Sequence, residues 1–126
     1  MILADTNIFL EILLGQQRQQ DCERFLLAQV GNIVLSDFSL HSIGVILFRY
    51  QAHQTFELFC QDVLPKVSLR TLPTDQYPLV AQHAQTYQLD FDDAYQATLA
   101  NHMGLSIATM DQDFRRVTGL VSVIFL

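Results

Sequence analysis

The strongest constraint on the fold is the alternation of short, nearly uniform apolar runs with amphipathic segments. Ile2 to Ala4, Asn32 to Leu35, Leu105 to Thr109 and Val121 to Phe125 are such runs, and Val67 to Leu72 alternates in the manner of a strand. A strand apolar along its whole length is covered on both faces, as in a parallel sheet. Between these runs apolar residues return at helical spacing, for example Ile8, Phe9, Ile12 and Leu13, then Cys22, Phe25, Leu26 and Val30. Further helices are expected from Ser36-Asp37 to about Tyr50, over Phe56 to Leu64 as far as Pro65, from Thr74-Asp75 to Tyr87, and from Asp90 to Gly104. This order predicts a three-layer α/β/α sandwich with a mainly parallel central sheet, in a single domain over residues 1–126.

Composition excludes several alternatives. Half of the 126 residues are hydrophobic, which is enough apolar surface to offset the ordering entropy that keeps polar chains unfolded. The longest uncharged apolar stretch, Phe38 to Phe48, is interrupted by Ser39, His41, Ser42 and Gly44 and is too short to cross a hydrocarbon core of about 30 Å. The first residues carry no basic segment and include Asp5, unlike a secretory signal, so a cytoplasmic protein is expected. Cys22 and Cys60 lack metal-type spacing and are expected to be reduced thiols.

The formal charge is −6, from 7 basic and 13 acidic residues. That balance argues against a domain holding nucleic acid by a broad basic surface. The placement of the acids is more informative than their sum. Asp90, Asp92, Asp93, Asp111 and Asp113 fall within residues 90–113, a stretch with no Glu and no Lys.

Ligands of open parallel sheets gather at the carboxyl ends of the strands. Asp5 follows the first run, Asp111 follows the fourth, and Asp93 falls in the first turn of the helix before it. Three carboxylates brought to one edge raise each other's pKa values. A divalent cation removes that conflict. Mg²⁺ and Mn²⁺ prefer oxygen ligands, and ions held this way support phosphodiester hydrolysis.

Three strings carry a resemblance: Leu3-Ala4-Asp5-Thr6-Asn7-Ile8-Phe9-Leu10, Asp93-Ala94-Tyr95-Gln96-Ala97-Thr98-Leu99-Ala100 and Ala108-Thr109-Met110-Asp111-Gln112-Asp113-Phe114. In this order and spacing the chain resembles the PIN domain, and within it the small VapC-type toxins. The resemblance implies a Mg²⁺- or Mn²⁺-dependent ribonuclease cutting the RNA backbone by hydrolysis. It assigns metal-holding and catalytic roles to Asp5, Asp93 and Asp111, and to Thr6 the hydroxyl that supports the first acid. It also implies a homodimer and an antitoxin partner, with Leu10, Leu13, Phe25 and Leu26 as candidate contacts.

The chain departs from the pattern at the second acid. Ser36, Ser39 and Ser42 stand where the family has a Ser-x-x-Thr-x-x-Glu series, so Ser42 takes the place of Glu. Asp37 lies about 140° round the helix from Ser42 and His41 about 100°, so neither is a direct substitute. Asp92 and Asp113 are candidates to supply the charge from the opposite side. Arg115 and Arg116 are candidates for phosphate contacts, Asp37 and Asp90 are expected as helix caps, and the four histidines lack ligand spacing. Two readings remain at this level: a metal-dependent endoribonuclease, or a degenerate PIN domain that binds RNA or protein without cutting.

Overall fold

The computed structural model describes residues 1–126. Its strands are β1 (Ile2–Ala4), β2 (Ile33–Ser36), β3 (Ser68–Arg70), β4 (Ser106–Thr109) and β5 (Val123–Phe125). Its helices are α1 (Thr6–Leu13), α2 (Gln19–Ala28), α3 (Asp37–Arg49), α4 (His53–Asp62), α5 (Tyr77–Tyr87) and α6 (Phe91–Met103), with 3₁₀ turns at Leu64–Lys66, Thr74–Gln76 and Gln112–Val117. The five strands form one sheet in the order β3-β2-β1-β4-β5, parallel throughout. The chain runs outward from β1 through β2 to β3, then returns to the other side of β1 for β4 and β5. Strand order therefore reverses between β1 and β4, and a crevice opens beyond the carboxyl ends of these two strands.

Alternate strand residues supply two cores. Ile2, Ala4, Ile33, Leu35 and Ala108 face Ile8, Phe9, Cys22, Ile43, Leu47 and Phe59 from α1 to α4. Leu3, Val34 and Ile107 face Val80 of α5, Tyr95 and Leu99 of α6, and Phe114 and Val117 of the last 3₁₀ turn. Burying each such side chain contributes about 1.5–3 kcal/mol, and burial on both faces explains why the central strands read as apolar runs.

The limits of several elements differ from those expected. β3 ends at Arg70 rather than Leu72 because it is an edge strand, and the buried Leu72 directs its N–H to the Tyr95 hydroxyl at 3.1 Å. Ser36, not Asp37, caps α3, accepting the Ser39 N–H on its Oγ at 3.0 Å. Asp37 is the first residue of that helix and accepts the Tyr95 hydroxyl at 2.6 Å. Asp90 caps α6 as expected, accepting the Asp93 N–H at 3.0 Å, and Gly104 closes that helix at φ +66°. Leu10, expected as a partner contact, is buried in the core. No disulfide links Cys22 and Cys60, and no helix is long and apolar enough to cross a membrane.

Candidate metal centre

Asp5 occupies the end of β1 in extended backbone and caps α1. Its Oδ1 accepts the Thr6 N–H at 2.8 Å, and its Oδ2 accepts the Thr109 hydroxyl, also at 2.8 Å. Thr109 ends the neighbouring strand β4, and its Oγ1 in turn accepts the Asp111 N–H at 2.9 Å. One buried hydroxyl thus fixes the first acid against the backbone of the last. Thr6 supports Asp5 through its backbone, whereas its hydroxyl lies 2.8 Å from Ser39 Oγ. The hydroxyl that the resemblance assigned to Thr6 is supplied by Thr109.

Asp93 reaches the same crevice from the first turn of α6, and Asp111 caps the 3₁₀ turn after β4 by accepting the Asp113 N–H at 2.8 Å. Asp93, Asp111 and Asp113 each offer one carboxylate oxygen, and these atoms lie within 4.8 Å of one another. Asp5, Asp93 and Asp111 line one pocket of about 150 Å³ with Thr6, Ser42, Asp92 and Gln96. The three expected acids are therefore brought together, and Ser42 faces the same space from α3.

The electrostatics of the pocket are unfavourable for bare carboxylates. Burial, followed by the charges of Asp90, Asp5, Asp111 and Asp113, pushes the Asp93 pKa up to about 7. Burial also raises that of Asp5; the Thr109 and Thr6 hydrogen bonds oppose this, the Asp111 charge adds to it, and the Gln96 amide weakly opposes it. Asp92 is raised by burial and by Asp90. A cation placed among these groups would remove the repulsion.

Two buried residues had no assigned role in the sequence reading. Thr109 is one, and a buried Thr two positions before a strand-end acid was its only local signal. Gln96 is the other: it is 2 % exposed, its Nε2 donates to Ser39 Oγ at 2.6 Å, and its Oε1 is buried without a partner. Leaving a buried acceptor unpaired costs about 1–3 kcal/mol. Hard carboxylate oxygens and repelling charges in one pocket form a donor set that fits Mg²⁺ or Mn²⁺, and the Gln96 side chain lines the same pocket.

The basic candidates separate. Arg116 donates to the Gln88 carbonyl at 2.7 Å and lies 3.5 Å from Asp113, which places it beside the acids. Arg115 turns away, bonding Gln112 and lying 5.8 Å over the Phe125 ring. His41, His53 and His102 are exposed, and His83 pairs with Thr98 Oγ1 at 2.9 Å.

A three-layer α/β/α domain with acids gathered where the strand order reverses defines the class of protein. The sequence matches the PIN domain family over residues 2–120, and the chain belongs to that family, whose members are generally ribonucleases. Three solved structures are similar to it. The VapC20 toxin of Mycobacterium tuberculosis, described as cleaving the sarcin-ricin loop, has a TM-score of 0.81 at 18% identity over 98% of both chains. FitAcB from Neisseria gonorrhoeae gives 0.75 at 22% identity, covering 98% of this chain and 96% of that one. A toxin-antitoxin complex from Klebsiella pneumoniae gives 0.76 at 20% identity over 98% and 96%. At these identities the likeness concerns the fold. No curated protein sequence matches the chain significantly.

Proposed function

We propose that this chain is a cytoplasmic, divalent-metal-dependent endoribonuclease and the toxin of a toxin-antitoxin pair. The observation that carries the reading is the convergence of Asp5, Asp93 and Asp111 on one pocket at the strand-order reversal. Family membership adds to it, and the toxin-antitoxin complexes among its structural relatives support an antitoxin partner; a homodimer is part of the same proposal. Leu13, Phe25 and Leu26, half-buried on the α1 and α2 side, are the remaining candidate contacts.

Asp5, Asp93 and Asp111 would hold Mg²⁺ or Mn²⁺, with Asp113 at the exposed rim. The ion supplies a Lewis acid that activates water and neutralises charge on the phosphodiester. Thr109 keeps the Asp5 carboxylate oriented, so little reorganisation is needed when substrate arrives. Ser42 offers a hydroxyl for a hydrogen bond to water in the pocket. Arg116 is the cation best placed to meet an RNA phosphate.

The second reading, a domain that binds without cutting, is favoured by the neutral Ser42 in the pocket wall. Calorimetric titration with Mn²⁺ separates the two. The nuclease reading requires binding that Asp93→Asn weakens; no heat at millimolar Mn²⁺ would leave only the binding role.

A further inference from the structure

We infer that Gln96 supplies the oxygen that Ser42 does not, its Oε1 facing the cation directly or through one water. The inference rests on the metal-centre reading above. Asp93 and Gln96 are three residues apart on α6, and such residues share one helix face. Both line the pocket that Ser42 also lines.

The hydrogen bonds at Ser39 and Asp5 together orient the amide. Ser36 Oγ donates its hydrogen to Ser39 Oγ at 3.1 Å. Ser39 Oγ and Thr6 Oγ1 share a hydrogen bond at 2.8 Å, and Ser39 Oγ accepts the Gln96 Nε2 at 2.6 Å. The same amide hydrogen-bonds toward the Asp5 carboxylate, which only its nitrogen can do, so Nε2 is committed to Ser39 and Asp5 and Oε1 is the atom left over. That oxygen is buried without a partner.

A neutral amide oxygen is a competent ligand or water acceptor for a hard cation. It also suits this site. A further carboxylate would add to the repulsion already acting on Asp93, whereas an amide adds a donor atom without charge. The serine series on α3 holds the amide in place, with Ser36 as the helix cap and Ser39 as the anchor.

The test is Mn²⁺ affinity, measured by calorimetry on the full chain without RNA. Gln96→Met, which retains size and removes Oε1, is expected to weaken binding by about 10-fold or more. Adding Ser42→Glu to that variant is expected to restore most of the loss. Gln96→Glu is expected to bind Mn²⁺ more tightly than the parent, and it remains decisive if Gln96→Met fails to fold. Unchanged affinity in a folded Gln96→Met, or no gain in Gln96→Glu, overturns the inference. If Asp93→Asn still abolishes binding in that case, the metal centre stands without Gln96. No Mn²⁺ binding by the parent protein overturns both.

Discussion

Asp5 and Thr109, 104 residues apart in the chain, are joined by a buried 2.8 Å hydrogen bond between adjacent strands. The same Thr109 oxygen accepts the Asp111 N–H, so the two strand-end acids are positioned relative to each other before any ligand binds. Thr109→Val keeps the shape and removes both bonds. It is expected to destabilise the fold by about 1–3 kcal/mol, measured by urea denaturation, and to weaken Mn²⁺ binding. Stability equal to the parent's would show that this bond does not hold Asp5.

The Asp93 carboxyl, pushed up to about 7 from 3.8, makes the metal-free protein pH-sensitive. Between these values the folded state binds more protons than the unfolded one, so stability falls as pH rises. The contribution from Asp93 is present below about 3.8 and lost as pH climbs through about 7. In EDTA the Tm is expected to rise as pH is lowered from mildly alkaline to mildly acidic values, with a smaller rise in Asp93→Asn. Saturating Mn²⁺ should flatten or reverse the trend, because metal competes with protons. A Tm in EDTA that is independent of pH would contradict the repulsion inferred for the pocket.

Tyr95 ties α6 to α3 and to the segment after β3, donating to Asp37 at 2.6 Å and accepting the Leu72 N–H at 3.1 Å. Burial is the main cause raising its pKa, and the Asp37 hydrogen bond adds to it. Tyr95→Phe leaves a buried N–H without a partner and is expected to cost about 1–3 kcal/mol in chemical denaturation. Mn²⁺ affinity should change little, because the hydroxyl points to Asp37 rather than to the acids.

The architecture was legible because covered strands and amphipathic helices carry different periodicities. The positions of Asp5, Asp93 and Asp111 followed from the rule that parallel sheets bind ligands at strand ends. What escaped were relations that no local pattern encodes. Gln96 meets Ser39 across 57 residues and Thr109 meets Asp5 across 104, so neither role was visible in the neighbouring residues. Ser36 and Asp37 are both cap-forming types, and the extended backbone at Ser36 decides between them. Leu10 lies on the same amphipathic helix as Leu13, and only packing shows that it belongs to the core.

Arg116 and Arg115 read alike in sequence but differ in contacts. Arg116→Ala is expected to weaken binding of single-stranded RNA and to lower the slope of log K against log salt by about 0.7, the loss of one phosphate contact. Arg115→Ala, whose guanidinium stacks on Phe125, should leave that slope unchanged. Equal effects from the two substitutions would contradict the assignment.

The most direct measurement is cleavage of RNA by the purified protein with Mn²⁺, with EDTA in excess, and with the Asp5→Asn variant prepared in parallel. The account predicts cleavage with Mn²⁺, none in EDTA and none from Asp5→Asn. Cleavage that persists in EDTA, or equal cleavage by Asp5→Asn, would contradict a metal-dependent nuclease centred on this pocket.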